Sequence, residues 1–338
     1  MLRVLDVILI AVLGVLSAAA ADLNDSCWVN NSAASEHGLW LLCQEGSLYV
    51  STDQGANWQT KPLPSGMRFR TVAFATDRKG IVAGDGGALI ATEDGGSTWR
   101  KVESSTDRNL LAIQFVGDQG WIAGYDGVIL HSADGGQTWV KQKSTTTQPL
   151  ESIYFTDAEH GWAVGWVGTL VRTTDGGQTW KLIDLPEDFW TFSSVYFRDN
   201  DNGWIVGFQG RILRTRDGGL TWKALPSPVS NWLTSVRFDR QGRGWIAADS
   251  DLLVSEDGGE TWRAIPIEDS IFVGHIQPAG DTLWAVCLFG LLQQPNTREV
   301  AVKEVQVPGI GFWQEEQENA VAAGDAPPPQ ADTSRGQP

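Results

Sequence analysis

Six aspartates, Asp53, Asp94, Asp134, Asp175, Asp217 and Asp257, recur 40 to 42 residues apart, each two residues after a Ser or Thr and five before a Trp. A carboxylate beside a hydroxyl could act as a general acid or contribute to a hard-cation site. Six evenly spaced copies, however, cannot converge on one substrate. The chemistry that suits them all is local: the hydroxyl and carboxylate bond amides of their own turn, and the following glycines supply positive φ. We therefore read the six aspartates as structural.

The remaining reactive residues form no constellation. The four histidines, His37, His131, His160 and His275, fall on different units without a close pair, which argues against a metal centre. Asp249-Ser250-Asp251 could offer three oxygens, but a calcium ion takes six to eight and a polar turn explains the triplet. No metal or other cofactor is expected. Of three cysteines, Cys43 and Cys287 occupy equivalent places in the first and last units, and Cys27 precedes or lies in the first strand. A Cys27–Cys43 bond across adjacent strands is the easier pairing, because facing sheets stand about 10 Å apart and a disulfide needs Cα atoms within roughly 7 Å. Three unpaired thiols are the alternative.

The aspartates belong to a longer repeat. Segments such as Thr173 to Trp180 and Thr215 to Trp222 close on Trp58, Trp99, Trp139, Trp180, Trp222 and Trp262, again 40 to 42 residues apart. That is the length of a four-stranded propeller blade. One unit reads Leu150 to Phe155, Gly161 to Gly165, Gly168 to Arg172, the turn, then Trp180 to Ile183: four short β-rich runs separated by turn residues. Partial units at Leu39 to Cys43 and Leu283 to Cys287 extend the series, and Pro295-Asn296-Thr297 stands where a seventh turn would be. The fold expected is all-β, a single seven-bladed β-propeller of four-stranded antiparallel blades with six such turns.

The Gly120-Trp-Ile-Ala-Gly124 and Gly203-Trp-Ile-Val-Gly207 runs, followed by Asp-Gly-Gly-x-Thr-Trp turns, resemble the Asp-box (BNR-repeat) propellers. Among these the chain is most similar to the photosystem II stability/assembly factor family, over about Ser26 to Val307. The resemblance implies a non-catalytic lumenal factor that assists membrane-protein assembly in photosynthetic organisms, or an exported protein working with a membrane transporter elsewhere. It also implies an arginine-rich patch, for which Arg172, Arg211, Arg214 and Arg216 are on offer without a residue-by-residue match. Sialidases share the box, but their chemistry needs three arginines, a Tyr nucleophile paired with Glu, and an acid. Tyr154 and Tyr196 fall at equivalent first-strand positions, Tyr49 in a third strand and Tyr125 in a turn, which is what repeat packing produces. A xyloglucanase-like cleft needs two propellers, and this length holds one. A glycan-binding or sialidase-like glycoside-hydrolase propeller remains the alternative to a binding scaffold.

The ends carry targeting and tail signals. Met1 to Ala21 combines Arg3, an apolar run from Val7 to Leu16 and small residues, the layout of a cleavable secretory signal. Residues 22–311 are assigned to the propeller, and 312–338, acidic and Pro-rich, to a disordered tail. Export to the periplasm, or to the thylakoid lumen of a photosynthetic host, follows. A net charge of -16 argues against nucleic acid or anionic lipid as partner.

Subtracting the repeat locates a binding surface. Of 17 tryptophans, six close boxes and Trp40, Trp121, Trp162, Trp204, Trp245 and Trp284 share the second-strand slot, leaving Trp28, Trp166, Trp190, Trp232 and Trp313. Trp166 lies between second and third strands, Phe208 takes its place one unit later, and Phe189, Trp190 and Trp232 lie in connections between units. Both loop types open on one face of a propeller. These five aromatics, with Arg211 as a charged rim, are the expected docking surface for an extracytoplasmic protein, such as a membrane-complex subunit or transporter. Packing of loops on one another is the competing explanation.

Overall fold

The computed structural model describes residues 29–35, 38–43, 46–53, 55–185, 191–249, 251–266, 273–279, 282–287, 290–294 and 303–305. Short alternating runs rich in Val, Ile, Leu and aromatics, cut by Gly and Asp turns, form strands, and these assemble into seven four-stranded sheets that each follow chain order. In the fourth, Leu150–Phe155 pairs antiparallel with Gly161–Gly165, which pairs with Leu170–Thr173, which pairs with Lys181–Leu182. Burial falls outward: the second strand is buried throughout, and the fourth is exposed. The seven innermost strands touch in sequence, and Val273–Ala279 returns to Val29–Ala34. The result is an all-β propeller of four-stranded antiparallel blades around an axial channel.

Six sheets carry the box, and we number these blades one to six. The last sheet, from Val273 to Val305, carries none among its described residues. The repeat proper is thus six box-bearing blades rather than seven equivalent units, and the box-less sheet occupies the gap between blades six and one.

Box geometry follows from local spacing. In blade four the Thr173 hydroxyl donates to Asp175 Oδ1 at 2.7 Å and accepts from the Gly177 amide at 2.9 Å. Asp175 also accepts from the Thr179 amide at 2.9 Å and hydroxyl at 2.6 Å. Gly176 and Gly177 have φ of 70° and 87°, a region costly to residues with a Cβ. In blade two the Thr98 hydroxyl and then its amide hold the Asp94 carboxyl down to about 2. Burial pushes Asp134, Asp175, Asp217 and Asp257 up, but hydrogen bonds outweigh it and leave each below the ordinary range.

Blades are joined by a repeated aromatic contact. Trp162 of blade four stacks on Phe197 of blade five at 3.5 Å, and its indole N–H donates to the Gly218 carbonyl in the box of blade five at 2.9 Å. Trp222, closing that box, meets Phe197 edge-on at 5.9 Å. The same arrangement recurs with Trp40, Phe74 and Trp99 and with Trp121, Phe155 and Trp180, and with the first pair tilted by 38° in Trp204, Phe238 and Trp262. Such geometry adds about 0.5–1.5 kcal/mol per ring pair beyond burial. Trp284 packs into blade one beside Leu39, Leu41 and Tyr49, but Ala34 stands where Phe155 and Phe197 do, so the box-less sheet closes the ring with the indole and without the stacked ring. Blade two is the exception, with Ile81 in the Trp slot. Accordingly, the innermost strand of blade three, Leu110–Val116, has only Leu110 fully buried.

A β-bulge opens the pairing of first and second strands, between Leu150 and Ser152 in blade four and at matching places elsewhere. It adds one residue per blade and re-aims that side chain. Glu151, Ser193 and Thr234 are such residues, and all three line the channel. The close approach explains Gly165, where a Cβ would overlap the Pro149 carbonyl oxygen. Cys43, opposite Val29, is disulfide-bonded, and Cys27 lies outside the described residues.

Candidate docking face

The turns between second and third strands share one construction. In blades two, three and five a single 3-10 turn, Asp85–Gly87, Tyr125–Gly127 and Phe208–Gly210, follows the second strand. The first amide of each turn bonds back to the connection that enters the same blade, Asp85 to the Arg68 carbonyl at 2.8 Å, Tyr125 to Asn109 at 2.9 Å and Phe208 to Thr191 at 3.0 Å, and in blade four Trp166 does the same to Pro149 at 3.0 Å. Gly210 reaches the next connection, donating to the Asn231 carbonyl at 2.7 Å. Turns and connections therefore sit on one face, and the first turn position, Asp85, Tyr125, Trp166 or Phe208, is where blades differ.

Three of the five expected aromatics lie on this face with large exposed surface: Trp166 at 42%, Phe208 at 43% and Trp232 at 49%. Phe189 and Trp190 lie outside the described residues. Among the described residues the rings meet in pairs. Phe208 and Trp232 pack edge-to-face at 6.0 Å, and Trp166 packs similarly on Tyr125 at 6.1 Å. Each indole is also tethered: Trp232 Nε1 donates to Ser193 Oγ at 2.5 Å, and Trp166 Nε1 to Glu151 Oε1 at 2.6 Å. Burial pushes the Glu151 carboxyl up, against the Trp166 bond and the nearby Arg70 charge. Loop packing and exposure thus coexist, since one side of each ring is held and the other remains open.

Tyr125, Glu151 and Ser193 were not expected here. Tyr125 could have been found, because it occupies the turn position of Trp166 and Phe208. Glu151 and Ser193 are bulge residues, whose placement breaks strand alternation.

Arg211 is half-buried in the turn of blade five, next to Phe208. The other arginines are elsewhere. Arg214 and Arg216 end the third strand beside the box, at the opposite edge, and both pair with Glu260 of the next box, Arg216 at 2.5 Å. Arg214 and Arg198 also lie over the Trp204 ring, 5.1 and 5.8 Å from its centre. Arg172 is half-buried, which pushes its guanidinium down. The four arginines considered from sequence therefore divide between two faces. Tyr154 and Tyr196, in the innermost strands, have phenols pushed up by burial, the reverse of activation as nucleophiles. Among the described residues, no helix is long and apolar enough to cross a membrane, and no group of three His, Cys, Asp or Glu is placed to hold a metal ion.

The family model for the photosynthesis system II assembly factor YCF48 matches residues 56–151 and 180–275, and the BNR/Asp-box repeat model matches 49–60 and 171–182. The chain is 30% identical over 90 residues to the photosystem II stability/assembly factor HCF136 of Arabidopsis thaliana, covering 25% of this chain and 22% of that protein. It is 33% identical over 82 residues to the photosystem II assembly lipoprotein Ycf48 of Trichormus variabilis, covering 23% and 24%. The chain thus spans about a quarter of the length of the curated relatives it matches. Among solved structures, YCF48 from Cyanidioschyzon merolae is similar at a TM-score of 0.66 and 17% identity, covering 79% of this chain and 94% of that one. YCF48 bound to D1 peptide is similar at 0.57 and 21%, covering 72% and 83%, and the GH74 enzyme of Niastella koreensis at 0.68 and 14%, covering 83% and 54%.

Proposed function

We propose that the chain, which belongs to the photosynthesis system II assembly factor YCF48 family of BNR propellers, is a non-enzymatic exported scaffold that docks an extracytoplasmic protein segment. The partner class is a subunit of a membrane complex or a transporter. The observation that carries this reading is the pair of indoles, Trp166 and Trp232, each tethered through its N–H while its ring stays open to solvent. Ordered aromatics lose little entropy on binding, and buried Trp anchors cost about 2 kcal/mol or more on truncation. Phe208 extends the surface, Arg211 supplies charge at its edge, and Phe189 and Trp190 belong by sequence to the same connections. A relative solved with a D1 peptide supports a peptide segment as the form of the ligand. We read the box-less sheet as the seventh blade of a propeller spanning 22–311, between a cleaved signal at 1–21 and a tail at 312–338.

Crosslinking the exported protein to its neighbours tests the reading. The double variant Trp166→Ala/Trp232→Ala is expected to lose capture while keeping its melting temperature; undiminished capture would remove the face from consideration. A glycan-directed function has a narrower basis, the fold shared with GH74 enzymes and the affinity of flat aromatics for sugar rings. Glycan binding that depends on Trp166 and Trp232, without protein capture, would favour it.

A further inference from the structure

The axial channel holds a charged group that the docking face does not use. A cavity of about 270 Å³ runs between the innermost strands. One level of its wall is set by the penultimate residue of each strand, the one opposite the second-strand Trp slot. Blades one and two place Ala33 and Ala73 there, while blade six places Arg237, across the ring from the room the alanines leave. Tyr154 and Gln277 stand at the same level, and His275 lies nearby on the box-less strand.

The Arg237 guanidinium has no carboxylate partner among the described residues. Nη1 donates to the Val236 carbonyl at 2.7 Å and to Ser194 Oγ at 3.2 Å. Nε and Nη2, the edge that forms a two-pronged fork, make no hydrogen bond among the described residues. Burial and the Arg237 charge hold the His275 imidazole down to about 3, so it is neutral and can donate one N–H without adding charge. Glu151, the carboxylate that lines the same cavity, is engaged by Trp166 at the turn face. Arg237 is half-buried, with its fork turned to the channel and only neutral groups bonded to it, and a guanidinium fork matches two oxygens of one anionic group.

We propose that the axial channel binds a small oxyanion, a carboxylate or phosphate group, on the Nε–Nη2 edge of Arg237, with His275 as a further hydrogen-bond donor. The site is independent of the docking face, since neither residue belongs to the turns or connections. The volume accommodates several non-hydrogen atoms, a water's share of liquid being about 30 Å³.

Thermal unfolding of the full chain in sodium acetate and in sodium phosphate, at ionic strength fixed with sodium chloride, tests this. The melting temperature is expected to rise with the logarithm of acetate or phosphate concentration, and the stronger of the two separates a carboxylate from a phosphate ligand. Arg237→Gln should weaken the response about tenfold or more in concentration. Ala73→Leu keeps the charge, fills the space opposite, and should weaken the response as well. A wild-type response that is absent or no larger than chloride's overturns the proposal. So does an undiminished response in Arg237→Gln or, if that variant does not fold, in Ala73→Leu.

Discussion

The two faces of this propeller are built from the same repeat and used in opposite ways. On the box side the six box-bearing blades present nearly the same Ser or Thr, Asp, Gly and Trp, and the polar groups of the box are consumed internally, as where Asp175 bonds its own turn. On the turn side the equivalent position holds Asp85, Tyr125, Trp166 or Phe208, and two indoles keep nearly half their surface in water. The difference separates what the ring needs in order to close from what it is free to vary. Residues of the first kind repeat, and residues of the second kind change from blade to blade.

The sharpest way to break that division is to remove a repeated residue from a joint. Phe197→Ala takes away the ring on which Trp162 stacks and Trp222 abuts, and should cost about 3–5 kcal/mol in chemical denaturation. A cost near zero would mean the joints do not hold the ring.

A smaller effect is expected from acid. Because Asp94 and Asp134 have carboxyls lowered to about 2, their contribution is present above the unfolded range near 4 and is lost as pH falls towards 2. The melting temperature should therefore decline across that window, and Asp94→Asn should flatten the decline. An unchanged slope in the variant would show that the box carboxylate is not stabilising. Least of all should change on the other face: Trp232→Ala alone should alter stability by about 1 kcal/mol or less, since its ring is half-exposed and loses one edge contact with Phe208. A larger loss would make the ring a structural element and not an anchor.

How much could be read in advance depended on distance along the chain. The box was legible because its bonds join residues two to four apart, as between Thr173, Asp175 and Thr179. Phe155, Phe197 and Phe238 were not recognised as the partners of Trp121, Trp162 and Trp204, because those pairs stand 34 or 35 residues apart and depend on how blades are stacked. On the turn face, position within the turn pointed to Trp166 and Phe208 and would have pointed to Tyr125. Arg237 escaped notice because nothing in its own strand distinguishes a channel-lining arginine from a surface one. Only its six counterparts in the other strands, seen together, reveal the space it faces.

The replacement of tryptophan by Ile81 has a dynamic consequence. In a closed cycle each blade is locked by the one before it, so no blade is terminal and none needs a cap, as the ends of an open repeat array do. The one second-strand slot without an indole therefore sets the place of first parting. The junction of blades two and three, where the strand Leu110–Val116 is thinly covered, should be the ring's hinge for breathing, the site at which solvent enters before the whole unfolds.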